Sequence, residues 1–208
     1  MNVTLRALNR FGLGARQGER QRISDARGWL KVQLDGGPPA VRATEGTSPT
    51  AIGEAVRALR MPGQRDDQQR RGGRRRLVEV AASEARAALD VRVTSDRPFV
   101  ERLVTFWSNH LCVSAGAKVL VAPLAGSYER DVIRPHVLGR FEDMVLASAK
   151  HPAMLAYLDN FQSIGPGSPG ARVGPRNNGA KRGLNENYAR ELLELHTLGV
   201  NGGYTQED

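Results

Sequence analysis

Cysteine, aromatic residues and lysine are all scarce in this chain. The single cysteine, Cys112, excludes an internal disulfide, so the fold does not depend on an oxidising compartment. Only 5% of the 208 residues are aromatic, so the core is expected to be built from Leu, Val and Ala. No apolar run approaches the roughly 20 residues that a membrane span needs. The opening MNVTLRALNRFGLGAR has no apolar h-region. A signal peptide is therefore not expected, and the default location is the cytoplasm. Neither H-E-x-x-H nor a C-x-x-C pair occurs, and G-x-x-x-x-G-K-[ST] is missing, which removes the simplest zinc and P-loop readings. Lysine stands only at Lys31, Lys118, Lys150 and Lys181, although Lys and Arg total 30 and the net charge is +8. The positive charge is therefore arginine. It is spread along many segments and reads as a bias of the whole chain more than as a patch for nucleic acid.

What the sequence does have is helical periodicity. Helices are expected over 2–11, 19–34, 48–61, 75–93, 97–111, 124–134, 139–150, 153–158 and 185–198, giving an all-α, irregular multi-helix bundle in a single domain over 1–208. The 75–93 helix runs through Leu77, Val80, Ala81, Glu84, Ala88 and Val91. In the 97–111 helix the stripe is Phe99, Leu103 and Phe106, with His110 at its centre and expected to be buried. Pro135 should stop the 124–134 helix. Two stretches read as mobile loops. The first, 63–74, overlaps the run Arg70 to Arg76, which could grip phosphate and leaves nucleic-acid binding as one alternative. The second, 161–183, is rich in glycine and proline. Its Arg172, Arg176, Lys181 and Arg182 lead into a helix N-terminus, a setting that suits an anion.

That helix carries the most informative irregularity. Asn185 is its expected N-cap and Gly199 its left-handed C-terminal cap. Leu184, Tyr188, Leu192, Leu195 and Leu198 form the apolar stripe, and Glu191 and His196 fall at or inside its edge. Two readings follow. Glu191 and Glu194, with His110 or His136 from neighbouring helices, could serve as acid/base groups or, as Glu191, Glu194 and His110, hold a divalent metal for hydrolytic chemistry. Alternatively the groups are structural, with Arg190 pairing Glu186 and Glu194, and Glu191 reaching an arginine such as Arg102, Arg130 or Arg134. The Glu-x-x-His spacing of di-iron bundles is absent.

Five blocks, ALNRFGLGAR, FWSNHLCVS at 106–114, DVIRPHVLGRFEDM at 131–144, HPAMLAYLDN at 151–160 and NENYARELLELHTLGVNGGYTQED at 185–208, together resemble the bacterial domain-of-unknown-function family numbered 1800. The likeness runs from end to end, with 36–75 its least distinctive part. It implies that the family's pattern continues past Gln206, so this chain is expected to be the N-terminal portion of a larger helical domain. It also implies frequent export and a partner of the alkaline phosphatase and sulfatase type, for which the chain would act as a binding or scaffold protein. It supplies no catalytic residues.

Overall fold

The computed structural model describes residues 2–60, 67–172 and 183–205. Among them every regular element is a helix. The order is α1 (Val3–Phe11), α2 (Glu19–Arg22), α3 (Ala26–Val32), α4 (Pro49–Arg60), α5 (Asp67–Thr94), α6 (Pro98–His110), α7 (Ala125–Tyr128), α8 (Arg134–His136), α9 (Phe141–Lys150), α10 (Pro152–Tyr157), α11 (Pro169–Arg172) and α12 (Glu186–Glu191). No helix among the described residues is long and apolar enough to cross a membrane.

The core gathers where α6 meets the chain from Tyr128 to Met154. Val100, Val104 and Leu111 pack there with Tyr128, Val132, Ile133, Val137, Met144, Ala153 and Met154. Aliphatic side chains dominate, as the shortage of aromatics requires. The Tyr128 hydroxyl donates to the Leu111 carbonyl at 2.8 Å and meets the buried Ser148 hydroxyl at 2.6 Å, so its polar end is satisfied inside. Burial pushes its phenol up to about 12.

The N-terminal third has little to bury, and arginine side chains tie it down instead. Arg16 donates to the Ser95 carbonyl at 2.6 Å, Arg97 to Gly37 at 2.6 Å, Arg102 to Gly12 at 2.8 Å and Arg134 to Pro39 at 2.9 Å. Each guanidinium satisfies a loop carbonyl that no helix or strand would otherwise reach. Gln33, buried between α3 and α6, accepts the Phe99 amide at 2.7 Å and so serves the open N-terminus of α6.

Local chemistry corrects several expected boundaries. The 19–34 helix is two, because Asp25 caps a new start by accepting the Arg27 amide at 3.0 Å. The loop expected at 63–74 is helical from Asp67 onward, and 63–66 lie outside the described residues. Gly72 and Gly73 cost that helix about 1 kcal/mol each, but α5 packs along α4, and Gly73 is buried. The 124–134 helix does not stop at Pro135. It starts at a 3-10 turn (Ala122–Leu124), widens into a π-turn at Glu129–Ile133 and continues to His136. A proline ring clashes with the carbonyl four residues back in a regular helix, and the wider turn makes room for it. The loop expected at 161–183 contains a 3-10 turn (Asn160–Gln162) and α11, and 173–182 lie outside the described residues.

Gly126 of α7 faces α5. A Cβ there would collide with Glu84 Oε2 and meet the Glu84 Cβ at 2.6 Å. The carboxylate can swing aside, but the Glu84 Cβ is fixed by its own helix. Gly126→Ala is therefore expected to lower the unfolding free energy by about 2 kcal/mol, despite alanine's better helix propensity, in urea melts followed by circular dichroism.

Candidate functional site

Ionisable groups reach the interior in two linked places. On α6, Glu101 is buried one residue from Val100, and Arg134 holds it with two parallel bonds of 2.8 Å. The same guanidinium reaches Glu129, its Nε at 3.0 Å from Oε1, and Glu129 in turn takes Arg92 of α5 at 2.6 Å. Arg92 Nε also donates to the Thr105 hydroxyl at 3.2 Å. Further along α5, Glu84 pairs with Arg130 and accepts the Thr44 amide at 2.9 Å and hydroxyl at 2.7 Å. Burial alone would raise the Glu84 carboxyl, but the Thr44 hydrogen bonds and the Arg130 charge outweigh it and hold it below its ordinary value. These are closed circuits. Every carboxylate in them has its guanidinium, and the arrangement cross-links α5, α6 and the turn before α8.

This geometry rotates α6 away from its expected phase. The bidentate bond draws Glu101 inward, so the buried face is Pro98, Val100, Glu101 and Val104. Phe106 and His110 are swung outward, and His110 is exposed where burial was expected. There they join a ring cluster. Trp107 meets Phe106 edge-on at 5.0 Å and stacks near Phe141 of α9 at 5.3 Å, while His110 lies parallel to Phe106 at 6.2 Å. Phe106 is 56% exposed and Phe141 39%.

The C-terminal segment starts as the sequence indicates. Asn185 caps α12 by accepting the Asn187 amide at 3.1 Å, and Gly199 has φ +79°. From Leu192 to Thr197 it winds as a π-turn, with the Leu198 amide on the Leu193 carbonyl at 2.8 Å. Each residue then turns through less than the angle of an α-helix, which shifts the phase of everything downstream. His196, expected at or inside the edge of the stripe, is buried, whereas Leu195 and Leu198 of the expected stripe face out. Leu184, at the other end of that stripe, is exposed as well. His110 Nε2 lies 3.0 Å from the His196 carbonyl and joins α6 to this turn. The His196 imidazole is buried, and its Nδ1 makes no hydrogen bond among the described residues. Burial first, and then the nearby His110 ring, push it below its ordinary value.

The four residues expected to form an acid/base site fall in different settings. His136 Nδ1 bonds the Val132 carbonyl at 2.6 Å within its own helical run. Glu194 lines an open cleft of about 250 Å³ with Glu186, Arg190, Leu193, Tyr204 and Thr205, and Glu191 does not. Within that cleft the Tyr204 phenol is raised by desolvation and then by the Glu194 carboxylate. Glu191 makes no ion pair with Arg102, Arg130 or Arg134, which are engaged elsewhere. Among the described residues no three His, Cys, Asp or Glu side chains converge as metal ligands, so the centre expected from Glu191, Glu194 and His110 is not assembled. Of the expected anion-binding residues, Arg176, Lys181 and Arg182 lie outside the described residues, as does the side chain of Arg172. A half-buried histidine absent from that set, His151, caps α10: its Nδ1 accepts the Ala153 amide at 3.1 Å. Its position directly before Pro152 is the signal that marks it, because proline favours the first turn of a helix. Burial lowers His151 too, although Asp131 opposes the shift.

A helical protein whose buried charges are spent on holding helices together, with a cluster of rings left at its surface, is the class these features define. A family model described as Protein of unknown function (DUF1800) matches residues 6–208, and the chain belongs to that family. No curated protein and no solved structure matches it.

Two outcomes are expected from these circuits. Glu101→Ala strands the Arg134 guanidinium in the core and should cost about 3–5 kcal/mol in denaturant melts. His151 and His196, held below the ordinary value of 6.5, bind protons in the unfolded chain that the folded chain refuses. Stability is then complete above pH 6.5 and falls as the pH drops below it. Urea midpoints at successive pH values should show that decline, and His196→Gln should make it shallower.

Proposed function

We propose that this protein works as a binding module and not as a hydrolase, with Phe106, Trp107, His110 and Phe141 as its contact surface. The observation that carries the reading is the cluster of four rings, with Phe106, His110 and Phe141 exposed and Trp107 half-buried, in a chain with so few rings to place. An apolar aromatic patch in contact with water is characteristic of a protein–protein contact surface, where Trp and Phe supply most of the binding energy. The ionisable groups support it from the other side. Glu101, Glu84 and Glu129 are each neutralised by an arginine, and His110 and His136 are engaged by backbone carbonyls. None of these is poised above an open cleft, as an acid/base pair needs to be.

The partner is a protein, and a phosphatase- or sulfatase-like hydrolase is the candidate that the family resemblance brings forward. The chain would then position or present that enzyme, and the chemistry would be the partner's. Phe106→Ala combined with Phe141→Ala should weaken capture of the purified hydrolase by about tenfold or more, because two partly exposed anchors are removed. The melting temperature should change by no more than about 2 °C, since neither ring lies in the core. Unchanged capture by the double variant would remove this surface from consideration.

A further inference from the structure

The outward face of α5 has a pattern that is left exposed among the described residues. The inward face is Gly73, Leu77, Val80 and Glu84. On the opposite side, Arg71, Arg75, Val78, Ala82, Ala85 and Leu89 follow one another at alternating steps of four and three residues, and all are exposed. Val93 extends the line by one more turn. Val78 is 56% exposed, Leu89 58% and Val93 68%. A four-three alternation keeps residues on one seam of a helix that packs against another helix. Surface helices normally put polar residues there. The helix of 28 residues is about 40 Å long, so the seam is straight over several turns.

We propose that α5 pairs with α5 of a second copy of this chain, antiparallel, about a two-fold axis midway between Ala82 and Ala85. The pattern is self-complementary, as an isologous contact requires. Ala82 then meets Ala85 of the partner subunit, and Val78 meets Leu89 of the partner subunit, twice each by symmetry. Alanine at the centre lets the axes approach to about 8 Å, the near end of the range for packed helices. Charge selects the direction. Glu79 and Arg86 share one flank of the seam, and the antiparallel arrangement sets Glu79 beside Arg86 of the partner subunit at two places. Arg86 has no carboxylate partner within its own chain among the described residues. Glu79 bonds Arg75 at 2.7 Å, but that pair is exposed and holds it weakly. A parallel, in-register pairing would instead place Arg71 and Arg75 against their own copies, which like charges oppose.

The test is the mass of the full chain in solution, measured by sedimentation velocity across a dilution series. A dimer is expected. Ala82→Glu, which puts a carboxylate on the axis, should give a monomer. Glu79→Arg and Arg86→Glu should each weaken the dimer by about tenfold, and the combined E79R/R86E chain should recover to within about threefold of the original, because the swap restores opposite charges. Circular dichroism melts report whether each variant folds; should A82E not fold, the two charge variants and their combination carry the test alone. A chain that stays monomeric at about 100 μM overturns the proposal. So does a dimer that A82E leaves intact, which would place the contact on another face. A dimer that the combined swap does not rescue overturns the antiparallel register. None of these residues belongs to the aromatic surface, so F106A/F141A should leave the dimer unchanged. The two readings can therefore fail separately.

Discussion

One guanidinium, that of Arg134, sits where three parts of the chain have to meet. It closes on Glu101 of α6 through two bonds, on Glu129 through a third, and on the Pro39 carbonyl of the N-terminal segment through a fourth. The desolvation of a buried guanidinium is so unfavourable that these partners cannot be given up one at a time. The position of α6 follows from that, and with it which side of α6 faces water. The aromatic surface is thus a consequence of an ion pair on the other side of the same helix. Through Glu129 the constraint passes to Arg92 and so to α5.

The arginine content has a structural use that a charge count hides. Guanidinium groups reach across loops to lone carbonyls and hold down an N-terminal third that has few large apolar residues to bury. Lysine would do this less well, because its ammonium lacks the planar fork that serves two acceptors at once. Lys118 is the exception that fits the rule. It closes the end of α10 as a single point charge, taking the Tyr157 carbonyl at 2.6 Å and the Asp159 carboxylate at 2.7 Å.

Much of the fold was legible in the sequence, because its signals are local. The all-helical class, the apolar positions Leu77 and Val80 of α5, the Asn185 cap and the left-handed Gly199 all depend on neighbours within a few residues. The candidate site was legible only in part. The buried Glu84 ion pair was not singled out, because its partner Arg130 is 46 positions away. The phase of α6 depends on Arg134, 33 positions from Glu101, and no periodicity within α6 contains that information. The π-turn at Leu192–Thr197 defeated a projection that assumes one angle per residue throughout, which is why Leu195 faces out while His196, expected at the edge of the stripe, is buried. His110 and His196 are neighbours after all, but through a backbone carbonyl and not as paired ligands.

The chain on either side of 165–182 is fastened together. The Ile164 amide donates to the Gly183 carbonyl at 2.8 Å, the Asn185 amide to the Ser163 hydroxyl at 3.0 Å, and the Asn185 side chain to the Leu158 carbonyl at 2.6 Å. With entry and exit stapled at one point, the frame is indifferent to how much polypeptide travels between them, and closure entropy grows only slowly with length. This is where the gene can gain or lose codons without penalty to the helices. It is also a natural place to graft an epitope, a reporter domain or a protease site, leaving α10 and α12 in register.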